Sequence, residues 1–331
     1  MANYNTIRGL RVKYLSADPA NPEDGQVWYN STTGNLRVDG ILGTASWSAG
    51  GNMGTGRYGG GATLNGNKTA TLFVGGYSPA GGYKTNTESY NGSSWSELAD
   101  INSGKDSMAG AGTQTAGLIF GGGPGNKTDT ETWDGSSWSE GNNLTTGRIS
   151  LGGCGITTAA LAFGGTIGPS KQVATEEYGG TSWTNGGDLN TARAEIAGCG
   201  LQDAAVAFGG TSPAAFAFAA TEEYNGSSWT NGGAMSQVRR RAGGSGAQSN
   251  ALATSGLISS GNSTTATEEY DGSSWSTTAS VGAARYYAFA SGTTSGNSIV
   301  GGGRNNPSAS GLTSTETFTD AVTAIKNIST S

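Results

Sequence analysis

The chain has 331 residues, of which 59 are glycine and only 13% are charged, with no histidine, two cysteines and a formal net charge of −6. Glycine costs roughly 1 kcal/mol per helical position relative to alanine, so long helices are excluded over most of the length. The acidic balance excludes a nucleic-acid-binding surface as the main business of the molecule, since phosphate neutralisation needs clustered Lys and Arg, and the absence of histidine removes Ser-His-Asp triads, Cys-His pairs and imidazole metal sites.

In chain order, residues 1–39 differ in kind from the rest. "MANYNTIRGLRVKYLSADP" has no signal-peptide core, and no stretch approaches the roughly 18 apolar residues of a membrane span, so folding in the cytoplasm without membrane insertion is expected. Within the segment, "GQVWYNSTTGNLRV" reads as two strands joined in a hairpin.

From residue 40 to 320 the chain repeats. Tryptophans 47, 95, 138, 183, 229 and 275 are spaced by 48, 43, 45, 46 and 46 residues. Five residues before the last five of them stand Tyr90, Trp133, Tyr178, Tyr224 and Tyr270, and two residues before each of these stand Glu88, Glu131, Glu176, Glu222 and Glu268. A sixth copy, "TETF" with Glu316 and Phe318, has no tryptophan after it. Six positions after Trp47, Trp95, Trp138, Trp183, Trp229 and Trp275 come Met53, Ile101, Leu144, Leu189, Met235 and Val281; ten positions after them come Arg57, Lys105, Arg148, Arg193, Arg239 and Arg285. An apolar run then closes on a glycine pair ("LFVGG", "LIFGGG", "LAFGG", "VAFGG", "SIVGGG"), except in the fifth copy, read as a degenerate "GLISSGN" with Ser259 and Ser260 at the pair.

Each unit predicts four strands: a, rich in small residues, after the basic position; b, the apolar run; c, "TEEY" or its equivalent; and d, with the tryptophan. Between c and d, "YDGSSW" or "YNGSSW" carries the Asp-Gly or Asn-Gly hairpin signal, in which both central residues want positive φ. Four-strand units of this length in a row predict an all-β propeller. The glycine pair after an apolar strand, the aromatic on the next strand, the tryptophan on the last and the basic residue soon after resemble the kelch repeat. The shortened tyrosine-to-tryptophan interval departs from it.

Pairing the Trp47 strand with the strand ending at Phe318 gives six blades, with the ring closed by the N-terminal strand. Seven blades remain open if "GQVWYN", "NLRVDG" and "AVTAIKN" form another; otherwise residues 321–331 are a C-terminal tail. The glutamates and basic residues form two rings near one face, and Arg-to-Glu pairing is preferred over an anion-binding channel mouth, because the counts match one for one. Cys154 and Cys199 stand sixteen positions after their tryptophans, where the other copies have Thr63, Ala111, Ser245 and Ser291; packing of small residues on the innermost strand is preferred over a disulfide, which needs Cα atoms within about 7 Å.

If the repeat is scaffold, function lies where copies differ. The b-to-c loops vary freely, and Tyr77, Tyr83, Phe216, Phe218 and Arg304 are the ligand-binding candidates there. The apolar "AFAFAA" suggests a protein contact or a loop folded onto its own blade. "LRVKYLSADPANPEDGQVWYNSTTGNLRV" resembles a segment near the start of bacteriophage tail and other virion proteins. That resemblance implies a virion protein made in the host cytoplasm and acting outside it, held by other virion proteins through residues 1–39. The expected function is a non-enzymatic propeller recognising host-surface glycan or protein, with no cofactor, metal or nucleic acid, and homo-oligomeric association on the particle allowed. The alternatives are a capsid decoration or tail connector protein and a glycan-degrading enzyme.

Overall fold

The computed structural model describes residues 12–20, 26–41, 43–306, 310–321 and 323–327. They fall into two compact units, one from Trp47 to Thr319 and one made of the segments up to Ser46 and from Asp320 onward. No α-helix occurs among the described residues.

The smaller unit is a single sheet in the order Lys13–Leu15, Val27–Asn30, Asn35–Ile41, Thr323–Asn327. Its first pair is parallel and the others antiparallel, with Asn30 opposite Asn35 at the hairpin and Gly34 at φ 73° in the turn. The Asp18 carboxylate accepts from Trp28 Nε1 (3.0 Å) and Asn30 Nδ2 (2.8 Å) and pairs with Arg37, and the indole of Trp28 is fully buried. Thr323–Asn327 is a strand here, where the six-blade reading leaves residues 321–331 as a tail and the seven-blade alternative makes "AVTAIKN" a strand. It covers the edge of Asn35–Ile41, whose main-chain groups would otherwise lie unpaired. Three segments considered for a seventh blade thus pair with one another, in a sheet whose parallel pair has no counterpart in the repeats.

The larger unit is all-β and propeller-like, built of four-stranded sheets in the order a-b-c-d. The first is Gly61–Ala62, Thr71–Val74, Thr87–Tyr90 and Trp95–Glu97. The second is Ala109–Gly112, Gly117–Phe120, Thr130–Trp133 and Trp138–Glu140. The third is Gly152–Ile156, Ala159–Phe163, Thr175–Tyr178 and Trp183–Asn185. The fourth is Ala197–Leu201, Ala204–Phe208, Thr221–Tyr224 and Trp229–Gly232. The fifth is Gly243–Ala247, Asn250–Thr254, Thr267–Tyr270 and Trp275–Thr278. The sixth takes Phe289–Ser291, Ile299–Gly301 and Thr315–Thr319 from the end of the repeats and Ser46–Ala49 from their beginning.

Strand b is apolar along nearly its whole length because both its faces are covered, and the residues of "LAF" and "VAF" are fully buried. Strand a must be small because its neighbours come close: a Cβ on Gly152 would lie 2.2 Å from the Phe163 ring. Each tryptophan packs on the aromatic that ends strand c, at 4.9 Å for Tyr90–Trp95, 5.0 Å for Tyr224–Trp229 and 5.0 Å for Phe318–Trp47. The indole N–H of Trp138, Trp183, Trp229 and Trp275 then donates to the threonine that opens strand c of the preceding sheet (Thr87, Thr130, Thr175 and Thr221; 2.8–3.0 Å). Tryptophan therefore sews sheet to sheet. At Trp47 the stitch differs: its N–H goes to the Ala279 carbonyl at 2.9 Å, and the buried hydroxyl of Thr267 is left without a partner.

Two local expectations need correction. In the c-to-d turns only the glycine (Gly92, Gly135, Gly180, Gly226, Gly272) has positive φ, and Tyr90 faces Trp95 across a four-residue loop. The asparagine or aspartate stays at negative φ and uses its side chain instead: Asp271 Oδ1 accepts from the N–H of Ser273 and Ser274 at 2.8 Å. The hydroxyl of Ser136 and the N–H groups of Ser137 and Ser136 hold the Asp134 carboxyl down at about 2, and the N–H of Ser274 with the hydroxyl and N–H of Ser273 do the same for Asp271. In the fifth copy the positions of the glycine pair belong to Ser255 and Gly256, both at positive φ (60° and 105°), not to Ser259 and Ser260. Strand b there is "NALAT", one turn of chain earlier than the apolar "GLIS" suggested.

Candidate functional site

The basic position ten residues after each tryptophan points into the sheet that follows. Arg57, Lys105, Arg148, Arg193, Arg239 and Arg285 are fully buried, and each forms an ion pair with the strand c glutamate of its own sheet. Lys105 to Glu131 is 2.8 Å, Arg148 to Glu176 3.0 Å, Arg193 to Glu222 2.6 Å and Arg285 to Glu316 2.7 Å; Arg57 pairs with Glu88 and Arg239 with Glu268. The second carboxylate oxygen accepts the main-chain N–H seven residues after the tryptophan in every copy, from Gly54 to Gly282, at 2.6–2.8 Å. The guanidiniums also donate to main-chain carbonyls, as Arg193 does to Ala220 at 2.9 Å. Burial pulls the Arg148, Arg193, Arg239 and Arg285 guanidiniums below their ordinary range, and the paired glutamate opposes that pull. With every charge matched, these rings offer a ligand nothing.

Two residues further on, the geometry changes. Gly59, Ser107, Ser150, Glu195, Arg241 and Tyr287 all have φ between 53° and 70°. Their main chains are linked head to tail: Ser107 N–H donates to Gly59 O (2.5 Å), Ser150 to Ser107 (2.7 Å), Glu195 to Ser150 (2.8 Å), Arg241 to Glu195 (3.0 Å), Tyr287 to Arg241 (3.0 Å) and Gly59 to Tyr287 (2.9 Å). The left-handed conformation costs a non-glycine residue about 1 kcal/mol or more, so five such residues persist only because this hoop of hydrogen bonds holds them. Their side chains border a cavity of about 100 Å³. A second cavity, of about 110 Å³, is lined by glycines and alanines near the strand a starts of all six sheets together with Leu64, Met108, Leu151, Ile196 and Phe289.

The residue before each hoop member bridges to the residue after the glycine pair: Tyr58 to Tyr77, Asp106 to Gly123, Ile149 to Thr166, Ala194 to Thr211, Arg240 to Leu257 and Tyr286 to Arg304. This pairing carries the start of every b-to-c loop to the rim of the hoop. It explains why Tyr77 and Arg304, which share that repeat position, lie near each other: Tyr58 meets Tyr77 at 5.7 Å between centroids, and the Arg304 guanidinium lies 5.7 Å over the Tyr58 ring. Tyr83, exposed on the hairpin of Tyr77–Ser78 with Gly82–Tyr83, stands edge-on to Tyr77 at 5.3 Å.

Sequence reasoning missed the residues that join these into one surface. Tyr58 stacks on Tyr287 (6.2 Å, 16° between planes), Arg241 lies 4.2 Å over Tyr287, and Arg240 and Arg241 share Glu195 at 2.5 and 2.6 Å. Arg240 in turn lies 3.8 Å over the exposed Phe216. The basic run 239–241 therefore splits between one buried scaffold arginine and two rim arginines. Reading the two columns after the basic position would have found them, since those columns alone mix Tyr, Arg, Glu and Asp with small residues.

Phe218 is not part of this surface: its ring covers the scaffold Arg193 at 5.8 Å, and Ala217 beside it is buried. "AFAFAA" is therefore a loop folded largely onto its own sheet, leaving Phe216 outside. Beside Gly59, Asp106 is pushed up to about 6 by burial, and burial pushes the Tyr287 phenol up to about 12. Cys154 and Cys199 are buried and unbridged, their thiols raised by desolvation. Among the described residues no group of three or more Cys, Asp or Glu stands together as a metal site.

No protein-family model matches the chain, and no curated protein resembles it in sequence. The functional reading rests on the rim itself: rings set on edge and face beside hydrogen-bonding cations, on a rigid hoop.

Proposed function

We propose that the chain is a bacteriophage virion protein whose repeats form a six-bladed kelch-like β-propeller, closed by the N-terminal strand, that binds host-surface glycan without catalysis. The observation that carries it is the band of Tyr83, Tyr77, Tyr58, Tyr287, Arg241 and Phe216 along half the rim. Aromatic faces beside hydrogen-bonding arginines suit sugars, which present C–H faces and hydroxyl edges together. Six blades and closure are supported by strand Ser46–Ala49 completing the sixth sheet, by the hoop returning from Tyr287 to Gly59, and by contact of Phe289–Ser291 with Gly61–Ala62. In this reading the N-terminal unit, built around Trp28 and Asp18, is the part that engages other virion proteins.

The test is binding of the full-length protein to a broad glycan panel, with hydrolysis products assayed in parallel. Binding that weakens at least tenfold in a Tyr77→Ala, Tyr83→Ala double variant, without release of reducing sugar, is the expected result. Binding to virion components alone, with none to glycan, would overturn it.

A further inference from the structure

The rim has a surplus of positive charge that the scaffold does not. Arg240, Arg241 and Arg304 face two carboxylates, Glu195 and Asp106, in a chain whose formal net charge is −6. Glu195 is committed to Arg240 and Arg241. Asp106 acts electrostatically on Tyr58 but forms no ion pair, and among the described residues no carboxylate lies within ion-pair distance of Arg304.

The stacking order makes that vacancy directional. Arg304, Tyr58, Tyr287 and Arg241 form a ladder of cation, ring, ring and cation, with steps of 5.7, 6.2 and 4.2 Å. Arg241 at one end is neutralised by Glu195; Arg304 at the other end lies over Tyr58 with no carboxylate within ion-pair distance among the described residues. The planar fork of a guanidinium's N–H groups matches a carboxylate in bidentate fashion, which suits Arg304 to an acidic partner. Tyr77 meets the same Tyr58 ring at 5.7 Å between centroids, and Tyr83 stands edge-on to Tyr77 at 5.3 Å, so aromatic surface adjoins the Arg304 site.

We infer that the rim selects an acidic saccharide, with the Arg304 guanidinium pairing with the sugar carboxylate and the Tyr77 and Tyr83 rings packing on the sugar. This rests on the glycan-binding reading above and narrows it to a substrate class.

The experiment uses the full chain and matched glycan pairs that differ only in the acid: sialylated against desialylated, and uronate against its methyl ester. Loss of a charge-assisted bidentate contact corresponds to roughly a tenfold or greater change in affinity. The acidic member should therefore bind about tenfold or more tightly, with the preference shrinking as salt rises. Arg304→Gln should bring the acidic member down to the neutral level, and Arg304→Lys should retain part of the preference. Equal binding of both members of each pair overturns the acidic selectivity while leaving glycan recognition standing. Equal loss for both members in Arg304→Gln, with the fold intact by circular dichroism, means the arginine only supports the rim and also overturns it. Absence of binding to every glycan defeats both readings together.

Discussion

Two sets of side chains, one or two residues apart in every repeat, behave as opposites. The basic residue ten positions after each tryptophan is buried and paired to a glutamate in all six copies. Its two successors are Tyr58 and Gly59 in one copy, Asp106 and Ser107 in the next, Arg240 and Arg241 in another, and they look outward onto a rim. The difference teaches how a repeat can be rigid and specific at once. Conformation is imposed by main chain and by buried charge, which are the same in each unit, so the side chains standing on that conformation are free to differ.

Breaking the scaffold set should have the largest effect. Glu222→Ala leaves the Arg193 guanidinium buried without its anion, and the loss expected is about 3–5 kcal/mol, read as a drop in the urea midpoint. Glu195→Ala on the rim removes a pair whose members are partly solvated, and should cost about 1–2 kcal/mol while changing ligand binding more than stability. A change of similar size, in the opposite direction, is expected from Ser255→Gly. It relieves a positive φ and removes a buried hydroxyl with no partner, so a gain of about 1–2 kcal/mol in thermal unfolding is expected with binding untouched. Lys105→Arg restores the donors that the other five copies direct to main-chain carbonyls, for a gain of about 0.5–1.5 kcal/mol.

A pH-dependent effect is expected at Asp106. Its carboxyl is raised from 3.8 to about 6, so the folded state holds its proton more tightly than the unfolded state does. The stability this contributes is fully present below 3.8 and is lost as pH rises through about 6. Asp106→Asn should flatten that part of the stability profile, and an unchanged slope would show that the burial of the carboxyl is relieved in solution.

Much of the fold was legible because tryptophan is rare, large and evenly spaced, so the register of glutamate, arginine and glycine pair could be counted from it. The strand c glutamates and the basic residues could be paired by number alone. The fifth glycine pair was not legible: Ser255 adopts a glycine conformation, and sequence gives no sign that the surroundings compel it. The C-terminal strand was offered only in the seven-blade alternative, and its place in the small sheet was not legible because "TAIKN" is short and its partner lies 290 residues away, from Asn327 to Arg37. Half of the candidate surface was legible too. Tyr77, Tyr83 and Arg304 stood out as unrepeated residues in variable loops, whereas Tyr58, Arg241 and Tyr287 hid immediately behind an invariant arginine or lysine, where repetition drew attention away from them.

The hoop divides the chain by what kind of change it can accept. Each copy contributes one link, at a fixed count of twelve residues from its tryptophan, so gain or loss of a single residue within that interval would open the circuit. The b-to-c loops begin just beyond the bridge to the rim, and nothing in the circuit depends on their length. Insertions there lengthen the rim without disturbing its base. A molecule built this way can acquire a new ligand by lengthening or replacing a loop, and the surface it exposes to selection is separate from the one that keeps it folded.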